Sequence, residues 1–272
     1  MFGRFATAAL AATLITTPAF AQGRGNQEPG AGAPPPIAER TKNLKKIDGF
    51  FPLYWDENAG KLYIEIPKLD TEVLYSTGMA TGLGSNDIGI DRGQTTGSRI
   101  VKFEKAGPRI LMVQPNYQFR ALTQNAAEAK TVRDAFARSV LWSFPIAAAS
   151  EGRYLVDYND FLVRDANEIA GRLTPGSYRF EAGRSSIYAP GLAGFPKNTE
   201  MEAELTFVRG AGAAGGRGGG AGGRFVEGVG SVAASAEAAS MRVHHSIVEL
   251  PGPGYEPRVY DPRSGFFDMV RR

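Results

Sequence analysis

The sequence predicts an α+β fold, a largely antiparallel sheet built from hairpins with two helices in the middle of the chain. Apolar and polar residues alternate in short segments joined by turn-forming residues, which is the strand and hairpin signature. Two central segments instead carry apolar residues at helical spacing. Strand and helix do not alternate in the regular way that a parallel, doubly wound sheet requires.

The strands come first. Phe50-Phe51-Pro52-Leu53-Tyr54-Trp55 leads into the turn Asp56-Glu57-Asn58-Ala59-Gly60, and Lys61-Leu62-Tyr63-Ile64-Glu65-Ile66 returns from it. Leu62, Ile64 and Ile66 share one face, with Tyr63 and Glu65 on the other. Glu72 to Ser76 reads as a further short strand. A second hairpin joins Arg99–Glu104 to Arg109–Gln114 through Lys105-Ala106-Gly107-Pro108. Its second arm is apolar through Ile110-Leu111-Met112-Val113, as in a strand covered on both faces.

Helices are expected over Glu128–Trp142, where Val132, Ala135, Phe136, Ser139 and Val140 fall at helical spacing, and from Asn159 or Asp160 to about Arg172. Strands return at 201–209, 224–232 and 241–250. The expected division of the chain is a signal peptide over 1–21, a flexible linker over 22–41, a strand-rich subdomain over 42–95 and an α+β domain over 96–272.

The N-terminus predicts export. Met1-Phe2-Gly3-Arg4 is a short basic region, Phe5 to Thr17 an apolar run, and Ala19 and Ala21 the small residues before cleavage at Ala21/Gln22. The run is shorter than the ~20 residues that a bilayer span needs. The mature protein is therefore expected in the periplasm or outside the cell, with no membrane span. There is no cysteine, so neither disulfides nor a cysteine-linked lipid enters the argument. Removing Arg4 with the signal takes the net charge from +3 to +2, too balanced a figure to point to nucleic acid.

Candidate sites are few. Gly210-Ala211-Gly212-Ala213-Ala214-Gly215 matches G-x-G-x-x-G, but the glycines that follow to Gly223 cannot sustain the helix that would hold a pyrophosphate. The tract reads as a flexible loop over 210–223. The segment from Gly82 to Gln94 is the candidate binding loop, with Asn86, Asp87, Asp91 and Arg92 as its polar residues. One reading is a recognition loop or an oxygen-ligand cation site; the other is a loop whose Asn and Asp residues bond their own backbone. His244 and His245, the only histidines, are adjacent in an expected strand and must face opposite sides. They cannot chelate one metal together, and a structural role is the reading for each. Asp157 and Asp160 beside Asn159 read as a helix-cap cluster. No residue of this chain is singled out as catalytic, and no cofactor or metal ligand is expected in it.

Four segments together resemble one family. They are Phe51-Pro52-Leu53-Tyr54-Trp55-Asp56 with Gly60–Pro67, Gly82–Gly89 with Asp91-Arg92-Gly93-Gln94, Val113-Gln114-Pro115-Asn116 with Phe119-Arg120-Ala121, and His244-His245-Ser246 with Leu250-Pro251 and Asp261-Pro262-Arg263-Ser264-Gly265-Phe266-Phe267. This is similar to the N-terminal half of large secreted bacterial zinc-dependent metalloproteases of metzincin type, whose N-terminal regions are domains of unknown function. The resemblance implies a non-catalytic region that supports or shields a downstream peptidase domain of the same polypeptide. Peptide or protein would be the substrate of that domain. Zinc would be bound there, by an extended His-Glu-x-x-His-x-x-Gly-x-x-His motif that no position of this chain matches. Asp261 to Phe267 would then bridge into a continuing protein. The rival expectation is a free-standing periplasmic binding module that uses the 82–94 loop.

Overall fold

A computed structural model of the chain describes residues 33–85, 87–174, 177–210, 228–256 and 263. The signal peptide, most of the 210–223 tract and all of Asp261–Phe267 except Arg263 lie outside them. Thirteen strands occur among the described residues, all paired antiparallel. They are β1 (Lys45–Ile47), β2 (Leu53–Asp56), β3 (Lys61–Ile66), β4 (Val73–Met79), β5 (Thr95–Ala106), β6 (Arg109–Gln114), β7 (Ser139–Ser150) and β8 (Arg153–Asp157), followed by β9 (Tyr178–Phe180), β10 (Ser186–Ile187), β11 (Ala193–Phe195), β12 (Asn198–Arg209) and β13 (Ala238–Glu249). Their order in the sheet is β1-β2-β3-β8-β7-β6-β5-β4-β13-β12, and the far side of β12 is shared by the short strands β9, β10 and β11.

Two long strands bend this sheet into a nearly closed barrel. β5 lies on β4 over Thr95–Val101 and on β6 over Lys102–Ala106. β7 lies on β6 over Ser139–Pro145 and on β8 from Ile146 onward. Register shifts at Met112/Val113 and Ile146/Ala148 mark the changes of direction, because an extra residue in one strand locally increases its bend and twist.

The two ends of the sheet meet at the turn after β1. Phe50 N–H donates to the Phe195 carbonyl at 2.8 Å, and Phe51 and Thr199 exchange two bonds through the Thr199 hydroxyl, at 2.9 and 3.0 Å. Gly49 and Gly194 make this approach possible: a Cβ on Gly194 would stand 2.0 Å from the Asp48 carbonyl oxygen. The interior is filled by Phe51, Phe103, Phe144, Phe161 and Phe207 with Leu, Ile, Val and Met side chains.

β3 is covered on both faces. Outside it, helix α1 (Ile37–Arg40) buries Ile37 against Tyr54, Tyr63, Ala148 and Leu155. Residues 37–40, expected as the end of a flexible linker, are thus part of the packed structure. Glu65 is 3% exposed beneath this cover. Its carboxylate accepts from the Tyr54 hydroxyl at 2.7 Å and from Arg153 at 2.8 Å. A buried carboxylate needs such partners to stay charged.

Three expectations are corrected. The helix foreseen over Glu128–Trp142 is α2 (Ala126–Ala135), capped by Asn125, and Ser139–Trp142 opens β7 instead. Pairing of Val140 with Val113 and of Trp142 with Met112 outweighs the helical spacing, a tertiary override of local pattern. The helix foreseen from Asn159 to Arg172 is two separate turns, α3 (Asn159–Leu162) and α4 (Ile169–Arg172). Asp165 starts the second by accepting from the N–H groups of Ile169 and Ala170, at 2.8 and 2.9 Å. Of the strand foreseen over 224–232, Val229–Val232 is the helical turn α5, and 224–227 lie outside the described residues.

Gly194→Ala is expected to lower stability by at least about 2 kcal/mol, since the added methyl meets backbone that cannot swing away. Urea unfolding measures this, and an unchanged midpoint would show that the sheet ends need not approach so closely.

Candidate functional site

The outer face of β12 and β13 carries a compact polar network. The pairing aligns Glu202 with His244 and Glu200 with Ser246, and period-two alternation puts all four, with Asn198 and Arg242, on one face. His244 Nε2 lies 2.7 Å from Glu200 Oε2, and its Nδ1 3.5 Å from Glu202 Oε1. Ser246 Oγ donates to the other oxygen of Glu200 at 2.8 Å, and the Asn198 amide donates to the same oxygen. Arg242 pairs with Glu202 at 2.9 Å, its guanidinium 4.2 Å from the centre of the Tyr188 ring.

This network forms one wall of a groove of about 310 Å³. Arg92, Gly93 and Gln94, at the end of the 82–94 loop, with Thr95 and the stretch from Ser76 to Ala80, form the rest. The loop is held by its own bonds. Leu83 N–H donates to Ile90 O at 2.9 Å, and Gly93 N–H to Met79 O at 2.8 Å. Arg172 donates to the Gly89 carbonyl and to Gln94 Oε1. Leu83, Ile88 and Ile90 are buried. Gly82 passes so close to the Arg92 nitrogen that a Cβ there would stand 2.8 Å from it.

Of the four polar loop residues, Asn86 lies outside the described residues. Asp87 and Asp91 are exposed, and Arg92 is exposed on the groove. Only Arg92 joins the β12–β13 network's groove. Among the described residues, no three His, Asp or Glu side chains are grouped to hold a metal ion.

Charge in the groove is set by mutual contact. The hydrogen bond to Glu200 raises the His244 pKa above its usual 6.5, against a smaller opposing effect of burial, and Glu202 adds to the rise. Burial is the largest single effect on Glu200 and pushes it up, but the bonds from His244, Asn198 and Ser246 together hold it below the usual carboxylate value. His244 thus holds a proton more firmly than a free imidazole does.

The neighbouring histidine points the other way, as strand alternation requires. His245 is fully buried and its Nδ1 shares a 2.8 Å hydrogen bond with the Tyr75 hydroxyl. Burial, followed by the charges of Arg164 and His244, pushes its pKa down to about 3, so the ring is neutral. Tyr75, Tyr158, His245 and Trp142 surround the Phe161 ring, with centroids 4.9 to 6.2 Å away, and the Arg164 guanidinium lies 4.6 Å from that ring's centre. Burial raises both tyrosine pKa values. Tyr158 Oη and His245 Nε2 have no hydrogen-bond partner among the described residues.

Sequence reading missed the carboxylate partners of His244 and the Tyr75–His245 pair. The alternating Asn198, Glu200, Glu202 was a signal for the first. The second depends on the β4–β13 register, which joins residues about 170 positions apart.

Residues 93–272 match the family described as "Domain of unknown function (DUF5117)". The chain belongs to this family. The DUF5117 match takes in β5 to β13 and both histidines, and Gly93 at its start lies on the groove. No curated protein and no solved structure matches the chain.

Two outcomes are expected. Tyr75→Phe leaves His245 Nδ1 buried without its partner and is expected to cost about 1–3 kcal/mol in denaturant unfolding; a neutral result would mean that the bond adds nothing net. His244 has a raised pKa, so its contribution is complete below 6.5 and fades as pH rises through the raised value. The Tm advantage of the wild type over His244→Gln should therefore be full below pH 6.5 and shrink as pH rises above it. A constant difference would show that the Glu200 contact does not bind the proton.

Proposed function

We propose that this chain is the non-catalytic N-terminal region of an exported zinc-dependent metalloprotease, where it supports or shields the peptidase domain. Zinc in this reading belongs to that domain and not to this chain. The four-segment resemblance supports the assignment, and the chain's place in a family of unknown function is compatible with it.

The observation that carries a binding role over a catalytic one is the clamp on His244. Its two ring nitrogens face Glu200 and Glu202, and its raised pKa keeps the ring protonated to higher pH than a free imidazole, so less of it is free to act as a base. Ser246 donates its hydroxyl proton to Glu200, whose lowered pKa makes it a weak base for activating that hydroxyl as a nucleophile. Glu200 and Glu202 spend their oxygens on His244, Arg242, Ser246 and Asn198, an arrangement that does not fit zinc. What remains is a charged, shaped surface suited to contact.

A second reading, a stand-alone periplasmic binding module, is favoured by Arg92. This loop residue is exposed on the groove and has no ion-pair partner among the described residues. The loop would then be the recognition element, as a pre-formed concave site with few polar groups would be.

Purified residues 22–272 are expected to take up no stoichiometric zinc and to leave casein intact. Proteolysis that a chelator abolishes would refute the non-catalytic assignment. The reading frame after the Arg272 codon separates the two readings: an open frame entering His-Glu-x-x-His supports the protease region, and a stop codon favours the binding module.

A further inference from the structure

β5 changes partner along its length, lying on β4 over Thr95–Val101 and on β6 over Lys102–Ala106. From Thr95 to Val101 it has β4 on one side, and among the described residues no strand lies on the other. A strand edge of this kind presents a row of free N–H and C=O groups and is a template for a further strand. Proteins commonly blunt such an edge with a bulge, a proline or a covering element. A bulge at Thr96 blunts one end of this edge, and the rest borders a groove of about 650 Å³, with Ser98, Arg99 and Ile100 on one side and Gln114 to Gln118 on the other. The side chains of Arg99 and Gln114 meet across it at 3.2 Å, near its surface.

The excursion from Pro115 to Arg138 beside this groove is unusual in what it exposes. Its helix α2 buries no residue. Phe119 and Phe136 stack on each other with centroids 4.0 Å apart yet are 43% and 38% exposed. Leu122 is 96% exposed, and Val140, just beyond, 51%. Exposed apolar side chains gathered in one region mark a contact surface, whereas singly scattered ones do not. The same excursion carries four basic residues (Arg120, Lys130, Arg133 and Arg138) against two acidic ones (Glu128 and Asp134). Asp134 is taken up by Lys130, while Arg138 reaches across to Glu104. Arg99 on the strand edge itself adds a further exposed cation with no carboxylate partner among the described residues. The surroundings of the edge are therefore basic and apolar together.

We propose that the open edge of β5 between Thr95 and Val101 takes up an extended, acidic polypeptide segment as an added strand. Main-chain hydrogen bonds to the edge supply the pairing, alternate side chains face the apolar excursion, and Arg99 with Arg120 selects for acidic residues. This site adjoins the His244 groove at Thr95 and stands whether or not the chain precedes a peptidase.

The test uses the purified mature chain and a fluorescently labelled peptide of alternating valine and glutamate, read by anisotropy. Three comparisons accompany it: the same peptide with lysine for glutamate, the same peptide N-methylated at alternate amides, and the Arg99→Glu protein. Each is expected to weaken binding by about tenfold or more, because each removes charge attraction or main-chain pairing. Arg99 is exposed, and an unchanged Tm for Arg99→Glu separates loss of binding from loss of fold. Binding that survives N-methylation, binding without preference for the acidic peptide, or no binding of any peptide overturns the proposal. A dimer that Arg99→Glu dissolves and that excludes the peptide also overturns it, by assigning the edge to a second copy of this chain.

Discussion

The approach of Gly49 to Gly194 is the constraint on which the rest of the sheet depends. A sheet whose outermost strands do not meet can splay, and its interior then opens to water along the whole seam. Here the seam is held by one main-chain bond and by the reciprocal bonds of Thr199 with Phe51. Phe51 is 3% exposed and touches Phe103 on the opposite wall, with centroids 5.6 Å apart. The same seam fixes where β12 lies, and β12 carries Glu200 and Glu202. The position of the polar groove thus follows from two residues that have no side chain.

Polar groups inside this structure fall into two kinds. Glu65, Tyr54 and Arg153 make a closed set in which each buried atom meets a partner, so the charge is tolerated and fixes how β2, β3 and β8 lie against one another. The cluster around Phe161 is not closed. His245 and Tyr75 satisfy each other through one atom each, while Tyr158 Oη and His245 Nε2 do not find a partner among the described residues. An interior that keeps such groups gives up stability, since an unmatched buried group loses its hydration without replacement.

The hairpins and the opposed histidines were legible because each rests on local spacing. Leu62, Ile64 and Ile66 alternate with polar neighbours, and the Gly107 turn has the positive φ of +57° for which glycine is suited. The helix over 128–142 misled because Val140 and Trp142 serve a sheet partner that spacing along the chain does not reveal. The loop at 82–94 was recognisable as a polar excursion, but of its described candidates Asp87, Asp91 and Arg92 only Arg92 lines the groove; Leu83, Ile88 and Ile90 anchor the segment. Glu200 and Glu202 looked like the outer face of a strand, which they are. Their meeting with His244 needed the β12–β13 register.

Leaving aside β9 and β10, which both pair with β12, the order of strands along the chain differs from their order in the sheet at two places. β1 to β3, β4 to β8 and β12 to β13 are neighbours in both, whereas β3 must find β8, and β4 must find β13. The second search joins Met79 to Val243. During synthesis one edge of β4 therefore stays unmatched until β13 has appeared. Local hairpins form early and non-local pairings late, because loop closure must precede any gain from the contact. Among the described strands the one bearing both histidines is thus made last yet lies mid-sheet, and the half-made protein exposes a sticky apolar margin that a holding chaperone would have to cover.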